Sequence, residues 1–270
     1  MPILKLPDVD LYYESQGAGR PFLFNAATAT WGELWKFHQV ADFSRDHQVI
    51  IFDQRGTGRS QVRSTDFSTA RLAADAAALL EHLGATDAIV LGHSNGGRVA
   101  QTLALDYPRL VGKLILASSG GTHGSSSKGI PLKLCMELTE KGYERTLWEG
   151  GLDTGFTAAY RASHPVEVER FMQLRAKGNP TLEIFLRHVI GRQDFDSQGR
   201  LANLSVPTLV MVGGDEDHGG QSGMTHLGFA RHLAAEIPTA RLAVLENQGH
   251  YYFYTAPDEM SDAIRAFVAP

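Results

Sequence analysis

The sequence is poor in cysteine and contains no long hydrophobic run. Cys135 is the single cysteine among 270 residues, which excludes an internal disulfide and a cysteine-based zinc site. No apolar run approaches the roughly 18 residues of a membrane-spanning helix, and the first residues lack the apolar segment of a signal peptide. Lysine and arginine form no extended cluster, and the net charge is -5. We therefore expect a cytoplasmic protein with no nucleic-acid and no membrane partner.

The remaining composition is that of a globular protein. Apolar residues make up 43% of the chain and charged residues 20%, which excludes intrinsic disorder. The chain is long enough to bury a large core in one or two domains.

Apolar runs alternate with helix-like segments in the first 120 residues, and the pattern returns near the C-terminus. Because these runs show no polar alternation, they predict strands covered on both faces, as in a parallel sheet with helices on each side. The predicted strands are 20–26, 47–53, 87–92, 113–117, 207–212 and 240–245, with an antiparallel edge around 11–13. The predicted helices are 31–45, 68–83, 95–107, 229–237 and 257–268.

The stretch 121–204 has a different character, with helix-like segments and no clear strand. It begins after a segment rich in glycine and serine, 120–127. We interpret 121–204 as a helical lid inserted into an α/β core formed by 1–120 and 205–270. The alternative is that these helices belong to the core itself.

The strongest chemical signal is the segment Gly92-His93-Ser94-Asn95-Gly96. It has the pattern G-x-S-x-G and stands between a predicted buried strand and a predicted helix. A tight turn at this place would project the hydroxyl of Ser94 above the sheet, and the two glycines remove side chains that would collide there. The segment has no G-x-G-x-x-G pattern, so it does not match a dinucleotide-binding loop. A Walker loop would need lysine and then serine or threonine after Gly97, where Arg98 and Val99 stand.

With this motif the sequence resembles the α/β-hydrolase superfamily over nearly its whole length. A second motif, Phe52-Asp53-Gln54-Arg55-Gly56-Thr57-Gly58-Arg59-Ser60, is similar to the turn after the fourth strand in that family, particularly in enol-lactonases and prolyl aminopeptidases. The resemblance implies an α/β-hydrolase fold and a serine nucleophile. Because the fold hosts many activities, it says little about the substrate.

The resemblance also implies a catalytic histidine and acid after the last two strands of the core. His250 stands in a Gly-His loop after the last predicted strand, which makes it the expected base. The expected acid is Asp217, counted from Gly214, with Asp215 as the next choice and Glu216 as the third. Its task is to orient His250 and to stabilise the imidazolium.

Two backbone N–H groups should stabilise the oxyanion. We expect one from Asn95, directly after the nucleophile, and the other from Ala27. Where many relatives have His-Gly, this chain has Asn25-Ala26-Ala27-Thr28. Trp31 and Trp35, four residues apart, border the pocket or pack in the core.

These residues predict a serine hydrolase acting on a small apolar carboxylic ester or lactone, with no cofactor and no metal, as a monomer or homodimer. The alternatives are a carbon–carbon bond hydrolase of ring-cleavage diketones and a slow-turnover ligand receptor on the same fold. Dehalogenases and epoxide hydrolases are disfavoured because they have aspartate where Ser94 stands.

Overall fold

A nine-stranded, mostly parallel sheet forms the centre of the computed structural model, which describes residues 2–121, 129–193, 195–216 and 225–269. Across the sheet the strands follow the order β1-β2-β4-β3-β6-β7-β8-β9, with β5 beside β2. The pairs β1–β2, β2–β4 and β2–β5 are antiparallel, and the pairs from β4 to β9 are parallel. The described strands are β1 (Ile3–Lys5), β2 (Val9–Gln16), β3 (Arg20–Asn25), β4 (His47–Phe52), β5 (Gln61–Val62), β6 (Ala88–His93), β7 (Val111–Ala117), β8 (Thr208–Gly213) and β9 (Ala240–Leu245). The predicted sheet and its antiparallel edge are confirmed.

Helices cover both faces of this sheet. Strand side chains alternate between two buried clusters, with Phe22 and Phe24 on one face and Leu23 on the other, as the period of two requires. None of the helices in the described ranges is long and apolar enough to cross a lipid bilayer. The described α-helices are α1 (Gln39–Phe43), α2 (Thr69–His82), α3 (Asn95–Asp106), α4 (Leu132–Lys141), α5 (Tyr143–Gly155), α6 (Ala158–Ser163), α7 (Pro165–Lys177), α8 (Leu182–Gly191), α9 (His226–Glu236), α10 (Tyr252–Thr255) and α11 (Pro257–Val268).

Five of these helices, α4 to α8, stand between β7 and β8, where the lid was predicted. The described residues of this insert, 121, 129–193 and 195–204, contain helices and a single bridge residue at Asp196, and no strand. Most of the glycine- and serine-rich segment that precedes it lies outside the described residues. The boundaries of the lid at 121 and 204 stay a prediction.

The helix predicted over 31–45 is two shorter helices. A 3₁₀ helix covers Gly32–Phe37, and α1 follows after His38, whose φ of -144° and ψ of -56° are not helical. Tertiary contacts hold this break, because the Gly32 N–H donates to Asp53 Oδ1 at 2.9 Å and Gln39 Nε2 donates to the Phe253 carbonyl at 2.6 Å. Packing therefore overrides the local helical pattern.

The turn 52–60 is a structural element. Asp53 is fully buried and accepts hydrogen bonds from the backbone of Gly32 and Arg59, both at 2.9 Å. Arg55 is also fully buried and donates through Nε and Nη2 to the two carboxylate oxygens of Asp75, at 2.7 and 2.8 Å. The turn therefore ties β4 to the 3₁₀ helix and to α2.

Candidate active site

The backbone at Ser94 is strained in the manner expected of a nucleophile. Ser94 joins β6 to α3 with φ 55° and ψ -117°, a conformation that a non-glycine residue rarely adopts. A Cβ on Gly92 would stand 2.1 Å from the Gly96 carbonyl oxygen, and one on Gly96 would stand 2.4 Å from the Asn25 carbonyl oxygen. Only glycine fits at both positions, so the surrounding chain fixes the turn that presents the Ser94 hydroxyl.

His250 follows β9 and is held by a buried carboxylate. Its Nδ1 stands 2.8 Å from Glu216 Oε2, and Glu216 is 1% exposed. The other oxygen, Oε1, accepts from the Gly213 N–H at 2.8 Å and from the Ser118 hydroxyl. Since a carboxylate only accepts hydrogen bonds, Nδ1 carries the proton and Nε2 of His250 is left as the base.

This geometry favours Glu216 as the acid. Glu216, the third choice from the sequence, occupies the single Nδ1–H of His250, whereas Asp215 is exposed. Asp217, the first choice, lies outside the described residues. Counting three residues from Gly213, the last residue of β8, instead of from Gly214 would have selected Glu216. We therefore replace Asp217 with Glu216 in the proposed site.

The two predicted oxyanion donors lie where the loop after β3 meets the start of α3. The carbonyl oxygens of Asn25 and Ala26 approach within 2.4 and 2.5 Å of the place that a Gly96 Cβ would take. No hydrogen bond joins the backbone N–H of Ala27 or Asn95 to another described residue. The buried side-chain amide of Asn95 also lacks a partner among them. This arrangement leaves both N–H groups available to a ligand, as the prediction requires.

His93 ties the nucleophile strand to the loop of the base. Its Nε2 lies 2.8 Å from the His250 carbonyl oxygen, and the two imidazole centroids are 4.4 Å apart. Burial, together with the nearby His250, lowers the pKa of His93 to about 3. His93 is therefore neutral near pH 7, and its Nε2–H donates to the His250 carbonyl.

When the pH falls from 7 to 5, the free energy of unfolding is expected to decrease less in His93→Gln than in the wild type. In the unfolded chain His93 takes up a proton below about pH 6.5, while in the folded chain it stays neutral down to about pH 3, so its burial costs stability over that window. At pH 5 this linkage amounts to about 2 kcal/mol. Urea unfolding at pH 7 and pH 5 measures it. His82→Gln on the surface is the control, and equal acid losses in wild type and His93→Gln would contradict the assignment.

A third histidine, His226 at the start of α9, stands near the acid. Its Nδ1 is 3.8 Å from Glu216 Oε2, and potential ligand atoms of Glu216, His226 and His250 lie within 4.8 Å of one another. Three such groups can in general hold a metal ion. Here Oε2 of Glu216 and Nδ1 of His250 are already joined to each other by a hydrogen bond.

Aromatic side chains close the space beside the nucleophile. Phe171 of α7 is fully buried, and its ring centroid lies 4.8 Å from that of Tyr251 and 5.9 Å from that of Phe253. Trp31 and Trp35, which the sequence placed at the pocket or in the core, border a small cavity here. Its lining residues include Ala26, Ala27, Trp31, Trp35, His93, Tyr251 and Phe253. The cavity thus connects the predicted oxyanion loop to apolar side chains.

Known proteins are similar to this chain over nearly its whole length. A family profile for the alpha/beta hydrolase fold matches residues 20–147. A protein of Azorhizobium caulinodans named as the carbamate hydrolase RutD is 29% identical and covers 99% of this chain and 98% of its own. The 3-oxoadipate enol-lactonase 2 of Acinetobacter baylyi is 26% identical, with 97% and 94% covered. The solved structure of Est816, described as an N-acyl homoserine lactone degrading enzyme, has a TM-score of 0.84 at 28% identity, with 99% and 100% covered.

The chain therefore has the α/β-hydrolase fold and is similar to members of the α/β-hydrolase superfamily, as its motifs indicated. It is an enzyme of the hydrolase class.

Proposed function

We propose that the protein is a serine hydrolase that cleaves a small carboxylic ester or lactone through Ser94, His250 and Glu216. The observation that carries the proposal is the buried His250–Glu216 hydrogen bond of 2.8 Å beside the strained turn at Ser94. His93, the neighbour of Ser94 in the chain, has its ring 4.4 Å from that of His250, which brings the base next to the nucleophile.

In the acylation step, the Ser94 hydroxyl oxygen attacks the substrate carbonyl carbon while His250 Nε2 takes the hydroxyl proton. The carbonyl oxygen becomes an oxyanion, to which the N–H groups of Ala27 and Asn95 donate. Glu216 stabilises the positive imidazolium through its hydrogen bond to Nδ1. Collapse of the intermediate breaks the carbon–oxygen bond, and His250 returns the proton to the leaving alkoxide.

In the deacylation step, water takes the place of the alcohol. His250 removes a proton from the water as it attacks the acyl carbon, and the second tetrahedral intermediate releases the carboxylic acid and the Ser94 hydroxyl. For a lactone the alcohol and the acid belong to one molecule, so the product is a single hydroxy acid. The buried state of Glu216 and the apolar surroundings of the cavity strengthen these electrostatic interactions.

We further propose that the helices of 121–204 act as a lid over this site. The end of α5 contacts the loop of the base, where the Tyr251 N–H donates to the Gly155 carbonyl at 2.9 Å. A Cβ on Gly155 would stand 2.0 Å from the Tyr251 ring. The insert thus packs directly against the segment that carries His250.

A fluorophosphonate, which phosphonylates an activated serine, tests the proposed function. We expect one adduct by intact mass on the wild type and none on Ser94→Ala. A panel of esters, lactones and diketones then separates ester or lactone cleavage from carbon–carbon cleavage. An adduct that persists on Ser94→Ala, or a folded wild type that neither reacts nor turns over any of these compounds, would overturn the proposal and favour the receptor alternative.

A further inference from the structure

A cationic side chain of the lid reaches the loop that holds a predicted oxyanion donor. Arg192 stands directly after α8, and its Nη1 donates to the Thr28 hydroxyl at 2.8 Å. Thr28 is the neighbour of Ala27 in the chain. The guanidinium therefore lies beside the place where the carbonyl group of a substrate would bind.

Among the residues that the structure describes, no acidic side chain balances the charge of Arg192. Within the described ranges, no carboxylate lies within salt-bridge distance of it, and its buried Nε has no hydrogen-bond partner. Burial lowers the pKa of Arg192 to about 10. Thr28, its side-chain hydrogen-bond partner in the described part of the chain, is neutral. A buried charge without a counter-charge is costly.

A second arginine adds positive charge at the same place. Arg98 follows Ser94 by four residues, so both lie on one face at the start of α3. Its guanidinium carbon lies 6.0 Å from the centre of the Phe195 ring. Burial and the nearby Arg192 lower the pKa of Arg98 to about 9.

Arg55, a buried arginine with a structural role, differs from Arg192 because it has acidic partners. Arg55 is fully buried, yet its guanidinium forms a two-point contact with Asp75 and a further ion pair with Asp8 at 3.1 Å. Although burial alone would lower the pKa of Arg55, its hydrogen bonds to Asp75 raise it above the ordinary value. Arg192 has the position of a binding group rather than that of a structural ion pair.

We propose that Arg192 binds a carboxylate group of the substrate, so that the natural substrate is an ester or lactone with a second, anionic end. A guanidinium donates two parallel hydrogen bonds to a carboxylate, and the free Nε of Arg192 supplies one of them. This inference rests on the proposed function, since it concerns the same site.

A matched pair of substrates tests it. The p-nitrophenyl monoester of pimelic acid carries a free carboxylate, and p-nitrophenyl methyl pimelate has the same chain with that carboxylate capped. For Arg192→Gln, we expect kcat/KM for the anionic ester to fall about 10- to 100-fold through KM, with the neutral ester changed by less than about threefold. The control is Arg187→Gln, because Arg187 on α8, five residues before Arg192, pairs with Glu183 at 2.7 Å. This variant should leave the ratio of the two substrates unchanged.

If Arg192→Gln hydrolyses both esters and the ratio of their kcat/KM values equals that of the wild type, the inference is wrong. Hydrolysis of neither ester, together with no fluorophosphonate adduct, would instead overturn the proposed function. If Arg192→Gln does not fold, the wild type provides the test. Pimelate should slow fluorophosphonate labelling and neutral pimelamide should not, and equal protection by the two compounds would overturn the inference.

Discussion

Replacing Ser94 with alanine is expected to lower kcat/KM for an ester substrate by about 10⁴-fold or more. The variant keeps the turn but removes the oxygen that forms the acyl-enzyme, so the remaining rate comes from the oxyanion donors and from binding. Steady-state kinetics with the substrate that the wild type hydrolyses fastest measures the loss.

The control for Ser94→Ala is a thermal unfolding measurement that shows whether the variant is folded. Ser94 has a left-handed φ of 55°, and alanine meets the same backbone strain as serine, so thermal unfolding should shift by only a few degrees. A variant that unfolds normally and still retains more than about a tenth of the wild-type kcat/KM would show that the nucleophile is another residue.

Replacing Glu216 with glutamine is expected to lower kcat by about 10³- to 10⁴-fold. The Gly213 N–H and the Ser118 hydroxyl both donate to Oε1 of Glu216, so the oxygen of a glutamine amide would face them. The NH₂ group would then face Nδ1 of His250, which must accept instead of donate. The proton moves to Nε2, where it prevents His250 from taking the proton of Ser94.

Two neighbouring acids provide matched comparisons for Glu216→Gln. Asp215→Asn changes an exposed carboxylate and should leave kcat within about twofold of the wild type. Asp217→Asn tests the acid that the sequence favoured. If Asp217→Asn inactivates the enzyme and Glu216→Gln does not, the assignment of Glu216 is wrong.

The sequence could predict the features that depend on local pattern. The turn at Ser94 is one of them, because a strand, two glycines and a helix start stand next to each other in the chain. The position of His250 after the last strand was also predictable by resemblance. The parallel strands were predicted within a few residues of their observed bounds, because each is a local run of apolar residues.

The sequence could not decide which of three consecutive acids meets His250. A shift of one residue after β8 moves a side chain from the buried position of Glu216 to the exposed position of Asp215. The outcome depends on donors far away in the chain, such as Ser118, which is 98 residues from Glu216. The contact between Arg192 and Thr28, separated by 164 residues, was hidden for the same reason.

The distance along the chain between the two halves of the site has a consequence for biosynthesis. His93 and His250, which touch in the folded protein, are 157 positions apart, so a ribosome completes the nucleophile strand long before it adds the base. Contacts of such separation form late, since the intervening chain must first be ordered. Under the proposed mechanism we therefore expect Ser94 to react with a fluorophosphonate only after β9 has joined the edge of the sheet. The time at which this reactivity begins would then report the last stage of folding.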